Sequence, residues 1–508
     1  MSFARAASVA LVGVDGHLVE VEAHLAQGLP GLVITGLPDP SVAEARDRVR
    51  AAVLNSGETW PARRITVGLG PASLPKHGSG FDLAVAAAIL AAAGVAPPSA
   101  LAGVALLGEL GLDGRIRPIR GVLPAVLAAL REGVARVVVP AANAAEARLV
   151  PGVQVTGVAT LRELLAFVRG ESAPRVPDPP STARSVTEVA RPDLADVIGQ
   201  ELGRSAVEVA AAGGHHLALF GPPGAGKTML AERLPGVLPP LDVDAALEVT
   251  AVHSVAGVLP AGSPLVERAP YQAPHHTASI AALVGGGSGL PRPGALSLAN
   301  RGVLFLDEAP EFPTRVLDAL RQPLERGEVV IARSGGVARY PARVQLVLAA
   351  NPCPCASAAG DVACTCSSVT RRRYLGRISG PLLDRIDIQL DLLPVTASAL
   401  LREAFDVEDS AAVARRVVEA RAAAAKRWRA NGWRTNAEVP GGALRGPWRL
   451  PKRVRASVDQ LVDRGQLSAR GYDRVLRLAW SIADLAGHDS PSTSDVNEAT
   501  FLRTRGAA

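Results

Sequence analysis

Leu217-Ala-Leu-Phe-Gly-Pro-Pro-Gly-Ala-Gly-Lys-Thr-Met-Leu230 is the stretch whose reading decides the fold. Four apolar residues bounded by glycine read as a short buried strand. Gly221 to Thr228 fits the pattern G-x-x-x-x-G-K-[ST]. In that pattern the glycines let backbone N–H groups curl round phosphates, and the helix that follows adds its partial positive charge. Gly221, Pro222, Pro223, Gly224, Ala225 and Gly226 are the expected cradle. Lys227 is expected to reach the β/γ-phosphates and the Thr228 hydroxyl to ligate Mg²⁺. ATP and Mg²⁺ are therefore expected on an α/β scaffold.

Further along, Val303-Leu-Phe-Leu-Asp-Glu308 reads as a second buried strand with two carboxylates at its C-terminal end, where open α/β sheets bind ligands. Asp307 is expected to hold the Mg²⁺ through water and Glu308 to orient or deprotonate the attacking water. A third strand, Val344–Ala350, delivers Asn351 toward the γ-phosphate or that water. Between the last two strands, Glu328–Arg343 reads as a hairpin turning at Ser334-Gly-Gly336, with Arg333 and Arg339 near its tip.

Outward from this core the chain divides. Its 508 residues suggest about three domains. Residues 1–168 read as an α/β unit, with β-rich runs at Ala7–Gly13, Arg64–Leu69, Val104–Leu107 and Val134–Pro140 and helical stretches at Val42–Leu54 and Val122–Arg131. Residues 169–191 are rich in Pro, Ser and charge and read as a linker. The ATP-binding core then spans 192–395, and a mostly helical lid spans 396–508. Hydrophobic residues at 48% and charged residues at 20% exclude a disordered chain. Leu83 to Gly108 is uncharged and long enough to cross a bilayer, yet Pro97 and Pro98 interrupt it, so an Ala-rich core helix followed by a turn and a strand is expected. With no secretory leader in view, the expected location is cytoplasmic, away from membranes.

Charge is unevenly spread. The chain is +6 overall, but from Arg371 onward 24 Lys+Arg face 16 Asp+Glu, a balance of +8. Residues 421–455 hold ten cations and one acid, Glu438, with Trp428, Trp433 and Trp448 interleaved. Cations neutralise phosphates and exposed indoles stack on bases, so Arg427, Trp428, Arg429, Trp433 and Arg434, with Arg333 and Arg339, are candidate DNA contacts. A lid whose tryptophans pack into its own core is the competing reading. Cys353, Cys355, Cys364 and Cys366 form C-x-C, eight residues, C-x-C. Four thiolates suit a structural Zn²⁺, although the pairs are tighter than usual zinc spacings; redox-active or free thiols are the alternative.

The order of phosphate loop, LFLDE, strand-Asn and GPLLDRID resembles the AAA+ ATPases of the magnesium-chelatase-like branch. HSVAG (253–257), APHHTAS (273–279), GVLFLDE (302–308), NPCPC (351–355) and RISGPLLDRID (377–387) are most similar to the ComM/YifB family. DVIGQ (196–200) resembles that group's adenine-side motif. The resemblance implies that Arg385 is an arginine finger reaching a neighbouring subunit's site, and that Arg470 is the second sensor, with Arg474 competing. It also implies a ring, a hexamer, with hairpins facing its channel. The function implied is DNA translocation, as helicase or branch-migration activity on single-stranded or branched DNA in recombination and natural transformation. A chelatase-type motor remodelling a protein partner in metal insertion is the alternative. His275 and His276 stay open between DNA contact, subunit contact and a capped turn.

SLPKHGSGFDLAVAAAIL (73–90) and GRIRPIRGVLPAVLAAL (114–130) resemble the Lon protease domain, which works with a Ser–Lys dyad. Alignment of the motif puts Gly80 at the nucleophile position, Ser79 one residue early and Leu123 at the lysine position. The domain is expected to be a scaffold or partner-binding module without peptidase activity.

Overall fold

The computed structural model describes residues 2–37, 39–171, 192–259, 265–287, 291–333, 336–355, 364–395 and 407–505. Most of the linker, 172–191, and the start of the lid, 396–406, lie outside the described residues.

In the amino-terminal domain, β1 (Phe3–Val12) and β2 (Asp15–Ala26) form a long antiparallel hairpin in register from Phe3↔His24 to Val12↔Asp15. Strands β3 (Gly31–Thr35), β4 (Arg64–Gly70), β5 (Val104–Leu106), β6 (Arg136–Pro140) and β7 (Gln154–Val158) complete a seven-stranded sheet, ordered β3-β4-β2-β1-β5-β6-β7. In β2 the residues alternate, with Val19, Val21, Ala23 and Leu25 buried. Helix α1 (Asp82–Ala92) is buried along its whole length, which explains why no charge follows Asp82, itself paired with Arg48 at 2.8 Å. No helix among the described residues is long and apolar enough to cross a membrane. Helix α2 (Val122–Arg131) covers the other side of the sheet.

The second domain, from residue 192, is built on an all-parallel sheet. In chain order it uses β8 (Leu217–Phe220), β9 (Tyr271–Gln272), β10 (Val303–Leu306), the hairpin β11 (Glu328–Arg333) and β12 (Gly336–Pro341), β13 (Gln345–Ala350) and β14 (Ile388–Asp391). The sheet order is β9-β10-β13-β8-β14, with the hairpin outside it. Helices α3 (Glu201–Gly213), α4 (Lys227–Val237), α5 (Val243–Ala256) and α6 (Ser368–Leu375) surround it. Burial of whole strands on both faces is what a parallel sheet requires, and β8, β10 and β13 are buried at every residue.

The lid consists of α7 (Ser410–Trp428), α8 (Lys452–Asp463), α9 (Ala469–Leu485) and α10 (Thr493–Thr504), with short turns between them. It is not a separately packed unit. Leu217 and Leu219 of β8, Phe305 of β10, and Trp428, Leu478 and Leu502 of the lid belong to one continuous hydrophobic cluster. The HSVAG segment finds its place at the joint with the amino-terminal domain, where α2 packs on α5. There Gly121 N donates to the Ser254 carbonyl at 3.3 Å, and Ser254 Oγ bonds the Glu146 carboxylate. At the same joint Gly13 bridges to Arg339 of the hairpin.

Candidate nucleotide site

Three parallel strands end side by side and deliver their next residues to one place: Gly221 after β8, Asp307 after β10 and Asn351 after β13. Close packing demands glycine at Gly221, where a Cβ would lie 2.7 Å from the Leu392 carbonyl oxygen. Gly226 holds φ +84° immediately before α4, a conformation that side chains disfavour. Gln200, from the DVIGQ segment, is buried and braces the loop from behind, donating to the carbonyls of Ala225 (3.0 Å) and Leu393 (2.8 Å).

Lys227 is 7% exposed, and its ammonium donates to the carbonyls of Gly221 (2.8 Å) and Pro222 (2.9 Å) and to Asn351 Oδ1 (3.0 Å). Burial pulls its pKa down, against the opposing pull of Asp307 and Glu308. Thr228 Oγ1 donates to Asp307 Oδ2 at 2.8 Å, and Glu308 N donates to Asp307 Oδ1 at 2.8 Å. A hydroxyl and a carboxylate held together at the loop form the oxygen donor set that Mg²⁺ takes, so Thr228 and Asp307 fit that ion.

Glu308 sits at φ +49°, in the left-handed region, which for a non-glycine residue costs on the order of 1–3 kcal/mol. The Glu308 side chain meets His276, whose Nδ1 is 3.3 Å from Glu308 Oε2. His275 stacks on His276 with ring centroids 4.1 Å apart and bonds Thr277 Oγ1 at 2.9 Å. APHHTAS thus brings a histidine to the carboxylate expected to handle water. Spacing alone could not find that contact, because the two segments meet only once β9 and β10 pair.

Arg385 lies elsewhere. β14 runs parallel to β8 with Ile388 opposite Leu217, so residues preceding Ile388 sit at the end of the sheet away from the phosphate loop. Arg385 donates there to the Pro381 carbonyl (2.8 Å) and to Glu325 Oε2 (2.6 Å), and this bond holds the Glu325 carboxyl below its ordinary range. Arg470, at the start of α9, is exposed and within electrostatic reach of the same Glu325. Arg474 is committed inward, bonding the Asp384 carbonyl at 2.6 Å and the Asp387 carboxylate. Burial alone would raise Asp387, but Arg474, His215 and His216 outweigh it and hold its pKa well below the usual carboxylate range. His216 Nδ1 accepts from Leu346 N at 3.0 Å, and desolvation, the largest influence, pushes its pKa down to about 4.

The four cysteines converge, with all Sγ atoms within 4.8 Å of one another and none in a disulfide.

The basic, tryptophan-bearing segment requires a correction. Trp428 is 0% exposed; its Nε1 donates to Asn436 Oδ1 at 2.8 Å, and the rings of Trp448, Trp480 and Trp433 surround it at 4.6, 5.6 and 5.9 Å. No face of Trp428 is left for a base, because its area is used to fill the lid's core. Trp433 and Trp448 are half-buried against the same cluster. Arg427 likewise turns inward, to the Asp484 carboxylate and over the Trp480 ring at 4.3 Å. Arg429, Arg449, Lys452 and Arg453 remain exposed, while exposed Arg434 pairs with Asp242 at 2.5 Å. The hairpin at Glu328–Arg343 forms as expected. Arg333 is exposed at the end of its strand, Arg339 pairs with Glu328 at 3.0 Å, and Ser334 and Gly335 of the expected turn lie outside the described residues.

Family models match three parts of the chain: "Magnesium chelatase, subunit ChlI" over 193–400, "Subunit ChlI of Mg-chelatase" over 21–143, and "Magnesium chelatase, subunit ChlI C-terminal" over 407–503. Protein Rv2897c of Mycobacterium tuberculosis is 55% identical, covering 100% of both chains. Competence protein ComM of Haemophilus influenzae is 40% identical, covering 99% of this chain and 98% of its own, and YifB of Escherichia coli is 40% identical, covering 99% and 97%. A shorter likeness, 29% identity over 33% of this chain, links it to Lon protease of Rhizobium meliloti. The chain therefore belongs to the ComM/YifB family of magnesium-chelatase-like AAA+ ATPases.

Proposed function

We propose that this chain is a Mg²⁺-dependent ATP hydrolase that works as a cytoplasmic ring, a hexamer, and moves along single-stranded or branched DNA as a helicase or branch-migration motor. The observation carrying the hydrolytic part is the convergence of Lys227, Thr228, Asp307, Glu308 and Asn351 at the carboxyl end of one parallel sheet. Lys227 and the loop N–H groups hold the β- and γ-phosphates. Thr228 and Asp307 hold Mg²⁺, which neutralises charge on the transferring group when bound. Glu308 accepts a proton from the attacking water, and Asn351 orients the γ-phosphate end.

The ring reading is supported by a mismatch of position. Arg385 lies at the opposite end of the sheet from its own subunit's phosphates, which is compatible with its completing the site of a neighbour, as a cation supplied in trans does in phosphoryl transfer. Arg470, exposed beside it, belongs to the same boundary. The DNA part is supported by the likeness to a competence protein and by the exposed cations Arg333, Arg429, Arg449, Lys452 and Arg453. The amino-terminal domain acts as a scaffold or partner-binding module, with Gly80 and Leu123 where a Lon-type dyad would need serine and lysine.

The family-model descriptions favour a second reading, a chelatase-type motor acting on a protein partner. ATP turnover measured with and without single-stranded and branched DNA separates the two. A DNA motor is stimulated, and the stimulation is lost on reversing the charge of Arg429, Arg449, Lys452 and Arg453. Turnover indifferent to DNA, with no DNA retained by the protein, removes the DNA reading and favours the protein-remodelling motor.

A further inference from the structure

We propose that Cys353, Cys355, Cys364 and Cys366 bind one Zn²⁺ as a structural site, and that this ion fixes the position of Asn351. The four sulfur atoms lie within 4.8 Å of one another, and three of their separations are 2.9, 3.3 and 3.6 Å. A single tetrahedral ion with Zn–S bonds of about 2.3 Å sets its sulfurs about 3.8 Å apart, so small outward adjustments close the shell. An all-thiolate donor set favours Zn²⁺ over hard cations, and one ion fits this spacing better than an iron–sulfur cluster, which holds its thiolates farther apart. Cys353 is 2% exposed and anchors the inner side, while Cys355 faces solvent.

What such an ion would hold is legible from the chain on either side. Only Pro352 separates Cys353 from Asn351, the residue that follows β13 and accepts from Lys227 at 3.0 Å. On the far side, Ser367 directly follows Cys366 and caps α6, its Oγ accepting from Thr370 N at 3.1 Å. Two residues past α6, Arg377 donates to the Pro310 carbonyl at 3.1 Å and pairs with Glu311 at 3.3 Å, three residues beyond Glu308. The thiols therefore tie the strand end bearing Asn351 to a segment that leans on the turn bearing Glu308. Four thiolates and one Zn²⁺ carry a formal charge of −2, and Arg371, Arg372 and Arg373 follow closely in α6 to offset it. Asn351 acts on the nucleotide, and the metal acts through Asn351 as a positioning element. The metal site stands on the thiol geometry alone, whereas its effect on turnover rests on the ATPase reading above.

The experiment uses the full chain purified under reducing conditions without chelator. Elemental analysis is expected to give about one zinc per chain, with the thiols unreactive until a mercurial releases the ion. After release and removal of the mercurial with excess thiol and chelator, ATP turnover is expected to fall roughly ten-fold or more while affinity for a fluorescent ATP analogue is kept. Hydrogen exchange over 345–351 is expected to rise at the same time. Cys355→Ser, at the exposed ligand, is expected to lose the metal and reproduce the turnover defect in a folded protein. Zinc below about 0.1 per chain with four reduced thiols, or two disulfides in protein purified without reductant, overturns the metal site. Full zinc whose removal changes neither hydrogen exchange at 345–351 nor turnover overturns the positioning role. Full zinc, a rise in exchange on its removal, and no turnover even in the metal-replete protein would uphold this inference and count against the ATPase reading instead.

Discussion

Lys76 and Lys227 are both buried lysines in Gly-rich segments preceding a helix, and their surroundings could hardly differ more. Lys76 is 0% exposed in the amino-terminal domain, where its ammonium bonds the Pro71 carbonyl and burial lowers its pKa. The nearby Ser79 is captured by the Glu109 carboxylate, Gly80 offers no side chain, and Leu123 is fully buried among apolar neighbours. Lys227 meets two loop carbonyls and Asn351, one residue from Thr228 and within the field of Asp307 and Glu308. A buried ammonium by itself marks nothing. A site exists where it shares one strand-end cleft with a hydroxyl, carboxylates and a polar sensor, because only that set balances the charge of a bound phosphate and its metal.

The comparison predicts its largest contrast between two identical substitutions. Lys227→Met is expected to lower ATP turnover by at least about 100-fold, whereas Lys76→Met leaves it within about two-fold. Lys76→Met removes the cost of burying an ammonium but also takes a donor from the Pro71 carbonyl, so its thermal midpoint is expected to shift little. Equal losses of turnover in both variants would break the contrast.

A smaller effect sharpens the nucleotide site. His276→Ala frees Glu308 from its contact at 3.3 Å, and steady-state kinetics are expected to show kcat falling about ten-fold at unchanged KM. A rise in KM with constant kcat would place His276 in substrate binding instead.

The smallest effect concerns pH. His216 has its pKa depressed in the folded protein to about 4, from an ordinary 6.5, by desolvation. Between those values the unfolded chain binds a proton that the folded one refuses, so stability falls as pH drops from about 6.5 to about 4. Thermal melts across that window are expected to flatten in His216→Asn, whose amide oxygen still accepts from Leu346 N. An unchanged slope would remove His216 from the acid response.

Much of this was legible in the residues. Leu217–Phe220 and Val303–Leu306 are uniformly apolar and bounded by glycine or acid, so both strands and the phosphate loop could be placed before any coordinates. Val122–Arg131 was readable as a helix for the same local reasons. Strand β2 falls outside the β-rich runs read from the sequence, although its alternation of buried Val19, Val21, Ala23 and Leu25 with outward charge is a plain strand signal. The fates of Trp428 and Arg427 were not legible, since a basic segment rich in tryptophan has the same composition whether its rings face solvent or Trp480. Contacts between distant segments, such as His276 with Glu308, depend on strand pairing that no local pattern encodes.

The central claim is that each ATP site is finished by the arginine of a neighbour, and mixing two inactive variants tests it most directly. Glu308→Gln lacks the carboxylate proposed to activate water and Arg385→Ala lacks the proposed finger, so each alone is expected to bind ATP with little turnover. In a mixed ring, an Arg385→Ala subunit keeps Glu308 and receives Arg385 from a Glu308→Gln neighbour. The account predicts that ATP turnover reappears on mixing. Turnover that stays at the level of the separate variants, or an Arg385→Ala protein that hydrolyses ATP normally by itself, would contradict it.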